Sequence, residues 1–178
     1  MKPLTLSTKR LILRSSIYKD SEFLFKNYCP SIYSSKFLTH KPHANIEQTS
    51  KFLNDWCIKP WIEESPRFAW VIALADTNEA IGVFLVESEG HKAEIHYGIS
   101  PSFEGQGLIT EAGHAVVSWL LCQSNLQRVW AICDLSNQGS INVLEKLGFN
   151  REGVLRKWLT LPSFGCSSAR DCYMYARV

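Results

Sequence analysis

Apolar side chains recur in two rhythms along the chain, and each change of rhythm marks an element. Arg10-Leu-Ile-Leu-Arg14 predicts a first strand. Asp20 to Tyr28 predicts a short helix, and Pro30 to Ala44 an irregular segment broken by Pro30 and Pro42. Asn45 is placed to cap a helix from Ile46, with Gln48 as its capping-box partner; that helix should run to about Ile58 and end before Pro60. Three strands follow, Phe68 to Leu74, Ala80 to Val86 and Ala93 to Ile99, the first two joined by a hairpin through Asp76-Thr-Asn-Glu79. Between Gly105 and Ser124 the period turns helical, with Leu108, Ala112, Ala115, Val116, Trp119 and Leu120 on one face. Arg128 to Cys133 returns to a strand. Ile141, Leu144 and Leu147 mark another helix, with Gly148 at its C-cap. Gly153 to Leu159 and Cys172 to Arg177 complete the series as strands.

An antiparallel front half followed by a strand–helix–strand unit implies a mixed α/β sheet covered by helices. The count is about seven strands and four helices, expected as one domain over residues 1–178. At that length folding buries roughly 70% of the unfolded surface, so no covalent staple is required.

Composition narrows the function classes. A net charge of +2 offers no basic footprint for nucleic acid. No apolar run reaches the roughly 20 residues that span a bilayer, and Met1 to Arg14 lacks the apolar core of a signal peptide. The six cysteines form no CxxC pair, and their spacings suit neither zinc nor a disulfide scaffold. Cys122 and Cys133 lie in apolar stretches and are expected as buried free thiols, which points to a reducing, cytoplasmic setting.

The chemistry concentrates in Ser100-Pro-Ser-Phe-Glu-Gly-Gln-Gly-Leu-Ile-Thr-Glu111. Gly105 and Gly107 let the backbone turn sharply and approach a ligand. The first N–H groups of the following helix have no internal partner, which suits a phosphate or pyrophosphate. The third glycine of a dinucleotide fingerprint is missing, and so is the Gly-Lys-Ser/Thr of a nucleotide P-loop. Coenzyme A, a pyrophosphate carrier needing neither motif, stays open, and so does a connecting turn whose glycines serve packing.

Beyond that loop, the chain resembles the GNAT acetyltransferase superfamily, in the branch containing ribosomal-protein N-terminal (alanine/serine) acetyltransferases. The likeness rests on Thr8-Lys-Arg-Leu-Ile-Leu-Arg14, Ala80-Ile-Gly82, Ala93-Glu-Ile-His-Tyr-Gly-Ile-Ser-Pro101, Glu104-Gly-Gln-Gly-Leu108, Asn137-Gln-Gly-Ser-Ile-Asn-Val-Leu-Glu-Lys-Leu-Gly-Phe149, Arg151-Glu-Gly-Val-Leu-Arg156 and Asp171, in order and nearly end to end. It implies a splay between the fourth and fifth strands, with acetyl-CoA as co-substrate. Main chain near Ile99 would bond the pantetheine. Amides of Glu104, Gly105, Gln106, Gly107 and Leu108 would hold the pyrophosphate. Asn137 would bond the pantetheine, and Ser140 would lie near the sulfur. The superfamily often carries Gln or Arg three residues before the first glycine; Ser102 stands there instead.

Acetyl transfer to an amine requires no metal, and none is implied. Holding the two reactants together supplies roughly 7–11 kcal/mol, against about 10²–10⁴-fold from one acid or base. Glu94 is the candidate base, directly or through a water, with His96 a rival on the same face of the strand; a solvent-facing role for Glu94 fits the alternation equally well. Ser140 is the candidate proton donor to the thiolate, with Tyr97 as alternative, and helix capping is the plain structural role of Asn137 and Ser140. The tryptophans are expected in the core or groove wall. Pro30 to Ala44 and Leu159 to Asp171 are expected to flank the acceptor, with Pro162-Ser-Phe-Gly165 as a turn. The expected partner is an amine, either a protein N-terminus or a small molecule, on a monomer or homodimer. A non-catalytic acyl-CoA sensor is the rival from another class.

Overall fold

The computed structural model describes residues 1–165 and 168–178, so the part of the expected acceptor segment at 166–167 lies outside the described residues. Eight strands form one sheet: β1 (Leu6–Ser7), β2 (Leu11–Arg14), β3 (Arg67–Leu74), β4 (Ala80–Glu89), β5 (Lys92–Ile99), β6 (Arg128–Asp134), β7 (Asn150–Leu159) and β8 (Arg170–Arg177). Their order is β1-β2-β3-β4-β5-β6-β8-β7, and only β5–β6 is parallel. The helices are α1 (Asp20–Asn27), α2 (Ile46–Leu53), α3 (Lys59–Glu63), α4 (Leu108–Leu121) and α5 (Gln138–Lys146).

Alternation along the strands divides the core into two layers. Ala93, Ile95 and Ile99 of β5 join Leu108, Ala112 and Val116 of α4 and Leu144 of α5 on one face. Val83 of β4 and Val71 of β3 meet Leu24 of α1 and Leu53 of α2 on the other. Trp70, fully buried, stands edge-on to Phe68, Trp61 and Trp119 and donates its indole N–H to Leu4 O at 2.8 Å. Among the described residues no helix is long and apolar enough to cross a membrane.

Several expectations are corrected. β1 is an eighth strand, only two residues long, too short to show an alternation. The second helix does not stop before Pro60. A π-helical turn at Asn54–Ile58 carries it into α3, where Pro60 sits in the first turn and needs no N–H partner. Gln48 accepts from Ala44 N rather than from the N-cap residue, although Asn45 Oδ1 does cap the helix through Gln48 N at 3.0 Å. Cys133 is buried as expected, but Cys122 is exposed because it follows the last turn of α4. Trp158 is exposed on β7, at the edge of the sheet.

Candidate functional site

β5 and β6 pair only through Lys92–Glu94 and Arg128–Trp130. They then part, although β5 continues to Ile99 and β6 to Asp134. Ser100 N–H donates to Ile81 O at 2.7 Å on the β4 side. An antiparallel ladder alternates its polar groups between two edges, so the backbone N–H and C=O of Tyr97 and Ile99 face the gap. This is an open edge that an extended ligand can pair with.

The glycine loop lies at the mouth of the gap. Gly105 and Gly107 both have φ 74°, in the left-handed region, and Gly107 is the N-cap of α4. Among the described residues the amides of Gly105, Gln106, Gly107 and Leu108 have no acceptor. The loop is held from outside. Arg10 Nη1 donates to Gln106 O at 3.0 Å, and its Nε to Glu111 Oε2 at 2.7 Å. Thr8 Oγ1 donates to Glu111 Oε1 at 2.6 Å. Burial works against ionising Glu111, but these donors outweigh it and lower its pKa. Tyr33 Oη donates to Glu104 Oε2 at 3.1 Å, and Gln106 Nε2 to Ser102 O at 3.1 Å. Rigid support with unspent amides forms an anion cradle.

Across the gap, Asn137 Oδ1 accepts from Ser140 N at 3.2 Å and caps α5, the structural role weighed above. Ser140 Oγ lies 2.9 Å from Tyr97 Oη, and Tyr97 Oη also approaches Ser140 O at 3.3 Å. Burial raises the Tyr97 phenol, so it remains a donor. Burial likewise pushes the Cys133 thiol up to about 12, with a Ser140 hydrogen bond opposing.

Glu94 stands where the two strands part, on the face opposite α4. Its Oε1 is 3.4 Å from His96 Nε2. Burial, and then repulsion from Glu87 opposite it on β4, raise its carboxyl to about 7. Burial lowers the His96 imidazole. Glu94 is therefore poised to take up a proton near neutrality, while burial disfavours the charged form of His96. A cavity of about 270 Å³ opens beside Glu94, lined by Arg67, Glu87, Glu89, Lys92 and Trp130 among others.

Thus Ile99 and residues 104–108 share one mouth, Ser140 meets Tyr97 across the gap, Asn137 caps the same helix, and Glu94 lies at the closed end. The two expected acceptor segments meet: Phe37 packs on Phe164 at 5.8 Å, and Ser163 Oγ donates to Ser35 O at 3.4 Å. His43 is partly buried, with Nδ1 2.8 Å from Thr49 Oγ1. Sequence reasoning missed Arg10, Tyr33 and Tyr28. Gly98 was the available signal for Tyr28, since a glycine within a strand marks a close approach.

A model of the acetyltransferase (GNAT) domain matches residues 10–150. The uncharacterized N-acetyltransferase YoaA of Bacillus subtilis is 31% identical over 157 residues, covering 86% of this chain and 87% of its own. A GNAT-family acetyltransferase structure from Bacillus anthracis superposes with a TM-score of 0.84 at 24% identity, covering 98% of each chain. RimL, a ribosomal α-N-protein acetyltransferase solved with coenzyme A, gives 0.84 at 21% identity, again over 98% of each chain. With the splayed strands and the glycine loop already in place, the chain belongs to the GNAT acetyltransferase family.

Proposed function

We propose that this protein transfers acetyl from acetyl-CoA to a primary amine, and that the amine is a protein N-terminal α-amine of ribosomal-protein type. One observation carries the reading: the unpaired β5 edge at Tyr97 and Ile99 opens beside the free amides of Gly105–Leu108. A thioester on an extended amide-bearing arm, ending in a diphosphate, fits both. Main chain near Ile99 bonds the pantetheine, with Asn137 on the far side. Amides of Gly105, Gln106, Gly107 and Leu108 take the diphosphate; the Glu104 amide, expected to join them, is instead spent on Pro101 O at 3.2 Å.

The amine nitrogen attacks the thioester carbonyl carbon, and the carbon–sulfur bond breaks. Glu94 accepts the amine proton, directly or through a water. Ser140, backed by Tyr97, supplies a proton to the departing sulfur. A carboxylate near 7 is a modest base, which matches an α-amine of pKa about 7.7–8.0 better than a lysine near about 10.4. The fold-level likeness to RimL supports the same acceptor. A second reading, a small-molecule amine, draws on the cavity beside Glu94, whose wall holds Trp130 and the ion pairs Arg67–Glu87 and Lys92–Glu89.

Calorimetry with acetyl-CoA at near-millimolar concentration, followed by acetylation of Ala- and Ser-starting peptides against spermidine, tests both. Binding with peptide turnover is expected. Turnover of spermidine alone selects the second reading. Binding without turnover of any amine points to a sensor, and absence of binding overturns the site.

A further inference from the structure

We infer that Tyr28 is a catalytic residue, its hydroxyl donating a hydrogen bond to the thioester carbonyl from the side of the sheet opposite Ser140. This rests on the β5–β6 gap being the thioester site. Tyr28 follows α1 and packs with Leu24, Val71 and Val83 beneath β5. Its ring tip lies directly on Gly98: a Cβ at that position would overlap Tyr28 Oη and stand 2.7 Å from Cζ. Gly98 is flanked by Tyr97 and Ile99, the residues whose backbone groups face the gap.

Tyr28 Oη has no hydrogen-bond partner among the described residues. Tyr28 is 7% exposed, and its hydroxyl is not among the fully enclosed partnerless polar atoms of those residues, which are Ser34 Oγ and Ser100 Oγ. A phenol in an apolar pocket normally finds a partner. Here its one polar atom is delivered to the stretch of β5 beyond Glu94, which pairs with β4 but not with β6, and glycine at 98 is what lets it come so close. Burial raises the phenol, with Glu104 adding to the effect, so it stays protonated and acts only as a donor. Such a donor, aimed where negative charge develops on the carbonyl oxygen, stabilises the transition state more than the ground state.

The test uses the whole protein and [1-¹³C]acetyl-CoA, read by difference infrared spectroscopy. In Tyr28→Phe the bound carbonyl band should move to higher frequency than in the unaltered protein. Turnover of the best acceptor should fall on the order of 10²–10³-fold, with acetyl-CoA affinity and melting temperature unchanged. Gly98→Ala, which must displace the ring, should give the same band shift. An unmoved band in Tyr28→Phe overturns the assignment, and so does failure of that variant to fold, since the hydroxyl would then be structural. Failure of the unaltered protein to bind acetyl-CoA is a separate result, because it removes the site itself.

Discussion

Tyr97 Oη lies 2.9 Å from Ser140 Oγ and joins β5 to α5 across strands that no longer pair. The contact links the two sides of the gap through a pair of hydroxyls, one of which burial keeps protonated. A thiolate leaving at Ser140 would meet a donor whose proton is backed by a second.

Ser140→Ala should therefore lower turnover by about 10²-fold, the low end for losing one acid, and leave acetyl-CoA affinity nearly unchanged. Stopped assays of thioester loss, with calorimetry on the same protein, separate the two quantities. Asn137 would still cap α5, because its Oδ1 accepts from the Ser140 backbone N–H.

Glu94→Gln should reduce turnover and simplify the pH profile. In the unaltered protein Glu94 becomes ionised, and competent as a base, as pH rises through about 7. The rate should climb through that value, and only the titration of the acceptor amine should remain in the variant. The same shift has a stability consequence of opposite sense. A carboxyl raised from 4.5 to about 7 binds protons more tightly when folded, so it costs stability as pH rises through that window. Chemical denaturation at several pH values should show the unaltered protein losing stability relative to Glu94→Gln across it.

Gly107→Val tests the loop. The position has φ 74°, and a Cβ there would have Arg10 Nη2 as its neighbour at 3.8 Å, so the penalty lies in the backbone rather than in crowding. Holding a β-branched residue there costs on the order of 1–3 kcal/mol, and the loop should rearrange. Acetyl-CoA affinity should fall at least tenfold while circular dichroism stays that of a folded chain. Intact affinity would remove the loop from the diphosphate site.

Asp134, the last residue of β6, carries a second pH prediction. Burial alone would raise its pKa, but Arg170, with Nε at 2.5 Å, and Ser136, with Oγ at 2.6 Å, hold the carboxyl at about 2. A depressed carboxyl contributes stability above its unfolded value of 3.8 and loses it as pH falls through about 2. Asp134→Asn should lower the melting temperature by about 5 °C at pH 7 and shrink the difference in strong acid. Arg170 also covers the Phe164 ring at 4.1 Å, so the variant should loosen the acceptor side as well.

Much of the fold was legible in the residues because its signals are local. The apolar runs between Phe68 and Ile99, with the turn residues between the first two, gave three neighbours in the correct antiparallel order. Gly148, at φ 78°, ends α5 as its position implied. The run past Pro60 was hidden because a single π-helical turn resets the phase, and no periodicity announces such a turn. Trp158 misled because an indole on an edge strand need not be covered.

The sequence by itself determined the rhythm of strands and helices, the glycines at 105 and 107, and the carboxylate at 94, because period and turn chemistry depend on neighbours a few residues apart. Only the tertiary structure decided where β5 leaves β6, that Arg10 braces the loop 96 residues away, and that Tyr28 lies on Gly98. Those relations arise when distant segments are packed onto one sheet, and a contact of that range leaves no periodic trace in the chain.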